Sequence, residues 1–118
     1  MSAPVTTRTW TTVCRIDDLV PDRGAAALVE GRQVALFRLS WSGAVHAVGH
    51  RDPFTGANVV ARGLVGTRGD VPTVASPLHK QVFSLLTGEA LDYPGTFLDV
   101  WEVRVIDDAV QVRAGAPG

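Results

Sequence analysis

The sequence predicts an all-β fold: an antiparallel β-sandwich or barrel built from about eight to ten short strands. Three observations carry this reading. The 118 residues hold 12 Gly and 7 Pro, so turns are frequent and long helices are disfavoured. Turn signals recur every ~8–12 residues along most of the chain. At the C-terminal end Trp101, Val103 and Val105 alternate with Glu102 and Arg104, the period of a strand with one apolar and one wet face.

Taken in order, residues 1–8 are Pro/Thr-rich and expected to fray. Trp10 to Cys14 is rich in β-branched residues and reads as the first strand. Ile16 to Gly24, with Asp17-Asp18 and Pro21-Asp22-Arg23-Gly24, reads as a loop with room for one helical turn. Ala25–Glu30 and Gln33–Leu39 form two strands about a Gly31-Arg32 turn, and Ala44–Val48 continues the meander after Ser42-Gly43. Residues 50–56 leave the sheet as a loop. The stretch 62–70 holds three Gly and is expected to be a flexible excursion flanked by short strands. Val82–Leu86 reads as a strand ended by Thr87-Gly88, and Tyr93-Pro94-Gly95 as a turn. Asp107-Asp108 turns the last hairpin, whose second strand carries Val110 and Val112.

Composition bounds the function. The length fits one domain over 1–118, with an ordered core at about 10–113, and 46% hydrophobic content suffices for its core. A formal net charge of −1 gives no pull toward nucleic acid or an anionic membrane. The one cysteine, Cys14, permits no intrachain disulfide and fits a reducing compartment. Residues 1–9 have no apolar core of a signal peptide, and no run nears the ~20 apolar residues of a membrane helix, so a cytoplasmic protein is expected.

Two loops carry the functional information: Arg51-Asp52-Pro53-Phe54-Thr55-Gly56-Ala57, and Ser76-Pro77-Leu78-His79-Lys80-Gln81-Val82-Phe83 with Thr87-Gly88 beyond it. Together with the strand order they resemble the Rieske iron–sulfur fold, whose loops read C-x-H-x-G-A and C-P-x-H-x-x-x-F-x-x-x-x-G. In that family two Cys hold one iron and two His the other. Here the corresponding positions are Asp52, Phe54, Ser76 and His79, so only His79 matches a ligand. Thiolate softness is what holds iron with bridging sulfide, and neither Asp52, Phe54 nor Ser76 supplies it. The resemblance therefore implies a Rieske-like sandwich with a loop-rich, vestigial cluster-binding subdomain and no cofactor of its own. Phe54 and Phe83 are expected to fill the space of the cluster.

Within that fold the D-P-F and S-P-L-x-K-Q-x-F patterns, with Arg62-Gly63-Leu64-Val65-Gly66 between them, resemble the small subunit of assimilatory NAD(P)H-dependent nitrite reductase. That resemblance implies a non-catalytic chain docking on a large subunit. The large subunit would carry FAD, an iron–sulfur cluster and siroheme, and reduce nitrite to ammonium. Arg51, Arg62, Arg68 and Lys80 surround the two loops and are the candidate docking residues, since Arg is favoured at interfaces. The alternatives are a free-standing Rieske-like binding module or a Rieske-type electron carrier.

Other groupings are weaker. His46 and His50 have the H-x-x-x-H spacing of a helical zinc site, but on a strand they lie ~13 Å apart. Ser76, His79 and Asp52 can be written as a triad, yet Ser76 precedes a proline and no G-x-S-x-G elbow exists, so Ser76 reads as a turn former. Trp10, Trp41 and Trp101 read as core or sheet-edge aromatics, with Trp41, at a hairpin tip, the most exposed.

Overall fold

In the computed structural model the described residues are 9–115 apart from His79; the expected fraying of 1–8 lies outside them. Nine strands follow one another: β1 (Thr11–Arg15), β2 (Gly24–Val29), β3 (Arg32–Arg38), β4 (Val45–Gly49), β5 (Leu64–Arg68), β6 (Val71–Ala75), β7 (Val82–Ser84), β8 (Val100–Ile106) and β9 (Ala109–Ala114). Short 3-10 turns at Ile16–Asp18 and Val60–Arg62 are the helical elements among them. The strands form two antiparallel sheets. One has six strands in the order β1-β9-β8-β4-β3-β2, the other three in the order β5-β6-β7.

Strand β3 explains how the layers share a core. Its centre, Val34-Ala35-Leu36-Phe37, is an unbroken apolar run, the pattern of a strand buried on both faces. Ala35 and Phe37 join Val48, Val74, Phe83 and Leu85 in a core between the sheets. Val34 and Leu36 face the other way and pack with Leu19, Val29, Ala47, Trp101, Val110 and Val112. That second core is enclosed because the large sheet curls until β1 comes up against β2. Phe37 and Phe83 are fully buried, each worth roughly 1.5–3 kcal/mol over exposure.

Three sequence expectations need correction. The β2–β3 turn is Glu30-Gly31, not Gly31-Arg32: Val29 pairs with Arg32, and φ is 52° and 77° at the two turn residues. Two positive φ values make the type I′ turn that matches strand twist. Strand β7 stops at Ser84 rather than Leu86. The Ser84 hydroxyl accepts the amides of Leu86 (3.0 Å) and Thr87 (3.1 Å), which curls the chain out of the sheet.

The third correction is the flexible excursion. Leu64–Arg68 is strand β5, paired with β6 from Leu64↔Ala75 to Arg68↔Val71 around a tight Gly69-Asp70 turn. Gly63 is glycine for space rather than freedom. Its φ of −72° suits any residue, but a Cβ there would run into the Ala75 carbonyl.

Candidate functional site

The first loop starts where β4 ends. His50 is buried, and its Nδ1 accepts the Ala61 amide at 3.0 Å, tying the loop to the 3-10 turn. Burial, followed by the nearby Arg62 charge, pushes its pKa down. The neutral ring that accepts at Nδ1 carries its proton on Nε2. Asp52 then closes the loop. Its amide donates to the Ala57 carbonyl at 2.8 Å, its carbonyl accepts the Gly56 amide at 2.7 Å, and its Oδ1 accepts the Phe54 amide at 2.8 Å. Gly56, at φ +78°, supplies the left-handed residue this ring of bonds requires.

The second loop repeats the device. The Ser76 amide donates to the Gln81 carbonyl at 2.8 Å, and its Oγ accepts the Leu78 amide at 3.3 Å. The same hydroxyl donates to Asp52 Oδ2 at 2.6 Å across 24 residues of sequence. Asp52 is 0% and Ser76 1% exposed, so this bond is a buried clip between the two loops. It joins the positions that correspond to the two Cys of the Rieske pattern.

Phe54 corrects an expectation. It does not fill the interior but is 38% exposed, lying over the buried Phe83 ring at 6.0 Å and edge-on to Tyr93 at 5.3 Å. Beneath Phe54 the Phe83 ring is fully buried.

These residues do not fit a [2Fe–2S] cluster. Asp52 and Ser76 bond each other, each also caps an amide of its own loop, and Phe54 has no donor atom. His79 lies outside the described residues, so of the Ser76, His79 and Asp52 triad only the Ser76–Asp52 pair is described. Its hydroxyl is sealed from solvent and already donates to the carboxyl, which makes it a structural tie. Cys14 sits in β1 against the second core, its thiol pushed up by burial and then by the Asp18 charge. Among the described residues no three His, Cys, Asp or Glu side chains gather as a metal-binding group. His46 is opposite Phe37 in β4, half-buried, with its pKa pushed down by burial.

The four basic candidates are dispersed. Arg51 Nε reaches the Gly56 carbonyl at 3.4 Å, and Arg51 lines a cleft of about 370 Å³ with His50, Pro53 and Phe97. Arg62 lines a different cleft, of about 470 Å³, with Asp18, Asp22 and Arg23. Arg68, at the β5–β6 tip, pairs with Asp92 at 3.1 Å. Lys80 is exposed in the second loop at φ 55°. The sequence reading missed Tyr93 as a partner of Phe54, for which Tyr93-Pro94-Gly95 gave only a turn signal. It also missed the Asp52–Ser76 bond, although an Asp two residues before Phe54 and a Ser two before Leu78 are both side-chain-capped turn signals.

Comparison with known proteins agrees with this geometry. The family model described as a Rieske-like [2Fe-2S] domain matches residues 9–113. The nitrite reductase (NADH) small subunit of Salmonella typhimurium is 40% identical over 104 residues, covering 88% of this chain and 96% of that one. A Mycobacterium tuberculosis structure, described as an NADH-dependent nitrite reductase small subunit, superposes with a TM-score of 0.89 at 46% identity, covering 95% of this chain and all of the other. A stretch of the nitrite reductase [NAD(P)H] large subunit of Klebsiella oxytoca is 36% identical over 105 residues, 89% of this chain but 11% of that protein. The chain belongs to the family of nitrite reductase (NADH) small subunits, built on the Rieske-like domain.

Proposed function

We propose that the chain is a cluster-free, non-catalytic subunit that docks on the large subunit of an NAD(P)H nitrite reductase in the cytoplasm. The large subunit, carrying FAD, an iron–sulfur cluster and siroheme, would reduce nitrite to ammonium for nitrogen assimilation. The observation that carries the docking is the Klebsiella large subunit, which holds a stretch similar to this chain within its own polypeptide. That a similar domain is built into a large-subunit polypeptide supports the reading that the two components work in contact. The absence of a cluster is supported by the Asp52–Ser76 bond, which occupies the donors that two thiolates would replace. Arg51, Arg62, Arg68 and Lys80 remain the charged residues through which docking would act. No helix among the described residues is long and apolar enough to cross a membrane.

The test is reconstitution. The purified chain is assayed for iron and acid-labile sulfide, then added to the purified large subunit. Nitrite-dependent NAD(P)H oxidation should rise with added chain, while flavin-dependent diaphorase activity stays level. Finding about two irons and two sulfides per chain would overturn the cluster-free reading. Turnover indifferent to the chain would overturn the subunit role.

A further inference from the structure

We propose that the large subunit covers the apolar surface at the loop end of the molecule, centred on Phe54 and Tyr93 with Leu78 and Phe97 beside them. This inference rests on the small-subunit reading and adds to it the surface through which the two chains meet.

The four side chains are 38%, 51%, 39% and 53% exposed, respectively. A ring contact joins Phe54 and Tyr93, and loop hydrogen bonds and a shared cleft put Leu78 and Phe97 at the same end of the molecule. Phe54 and Leu78 each sit two residues beyond a member of the Asp52–Ser76 clip, with their amides held by those same two side chains. Tyr93 touches the Phe54 ring. Phe97 shares a cleft with Pro53, next to Phe54 in sequence, and follows the turn closed by Thr96 N–H donating to the Tyr93 carbonyl at 3.3 Å. A contiguous apolar surface of this kind marks an interaction site, unlike single exposed side chains. Aromatic anchors are also the residues that dominate interfaces.

The surface is held ready. Phe54 rests on buried Phe83, and both loops are closed by their own hydrogen bonds, so little conformational entropy remains to be lost on docking. The clip that replaces the thiolate positions thus holds a recognition surface in place.

Charge and chain architecture identify the occupant. With Asp92 paired to Arg68 and Asp99 to Arg32, the cations of the two loops that carry Phe54 and Leu78 are Arg51 and Lys80, and Glu89 lies opposite Phe97. The complement is an apolar depression edged by carboxylates. In the Klebsiella relative the similar stretch is part of the large subunit itself, which favours the large subunit as the occupant over an unrelated protein.

The experiment titrates the full chain into the purified large subunit of the same organism by calorimetry. It compares wild type with Phe54→Asp, Leu78→Asp and Tyr93→Asp, and uses Trp41→Ser, on the β3–β4 turn, as control. Affinity should fall at least about 30-fold in the three patch variants, with thermal melts unchanged, and stay at the wild-type value in the control. Should Phe54→Asp fail to fold, the other two variants decide. Wild-type affinity in folded Tyr93→Asp and Leu78→Asp overturns the assignment. So does a chain whose mass by light scattering is doubled until Tyr93→Asp halves it while large-subunit binding persists, because the occupant is then a second copy. Wild-type chain that does not bind the large subunit at all overturns the small-subunit reading itself, a different result from loss confined to the patch.

Discussion

Asp52 and Ser76, at the positions of the two Cys in the Rieske pattern, form a buried hydrogen-bonded pair. Each side chain first caps its own loop and then reaches the other, so one bond does the work of a cross-link. Ser76→Ala removes the donor at 2.6 Å and leaves a fully buried carboxyl oxygen unsatisfied. The expected loss is about 1–3 kcal/mol, read as a lower urea midpoint with unchanged slope; an unchanged midpoint would show that the clip contributes nothing. His50 gives a pH signature. Its pKa is lowered in the fold by burial first and by Arg62 second, so the native state binds fewer protons than the unfolded chain. That contribution is complete above the ordinary histidine value of about 6.5 and is lost as pH falls through the lowered folded value. Half-buried His46 acts in the same direction. His50→Asn keeps an acceptor for the Ala61 amide and should make stability fall less steeply below pH ~6.5; equal slopes in variant and wild type would remove His50 from the account. The sequence placed Asp52 and Ser76 at the ligand positions. Their bond could not be read there, because nothing local encodes a contact across 24 residues.

At the scale of elements, what was legible depended on what glycine is for. Asp107-Asp108 was read correctly as a hairpin turn, and both residues take positive φ (50° and 66°), which Asp tolerates better than most residues. Glu30 at φ 52° carries no such signal, and so the β2–β3 turn was misplaced by one residue. The larger miss, β5, came from counting Gly63, Gly66 and Gly69 as flexibility. Gly69 does serve the turn, at φ +62°. Gly63 instead lets the chain pass against the Ala75 carbonyl and the Val74 side chain. Since its backbone angles suit alanine, Gly63→Ala isolates the steric cost of overpacking, about 1–3 kcal/mol by denaturant titration. A neutral result would mean that β5 and β6 have slack the packing does not reveal.

For the whole molecule, the all-β architecture was readable because alternation and turns repeat along the chain, whereas the sharing of β3 between two cores is a property of the curled sheet. The closure of the two loops bears on whether a cluster can be introduced. The triple variant Asp52→Cys, Phe54→His, Ser76→Cys restores the missing members of the Rieske ligand pattern beside the native His79. Phe54 is not the obstacle the sequence suggested, since it lies partly exposed above Phe83. The obstacle is the closure of both loops. Asp52 and Ser76 provide the side-chain acceptors for the Phe54 and Leu78 amides, and cysteine sulfur is a weak acceptor that leaves those amides poorly satisfied. Apo loops that have lost their caps should open before iron arrives. The expected outcome is a destabilised, colourless protein after anaerobic reconstitution, checked by iron content and visible absorption. A Rieske-type spectrum at about two irons per chain would show that the loops keep the geometry of the cluster without it, and that Asp52 and Ser76 close a site still shaped for metal.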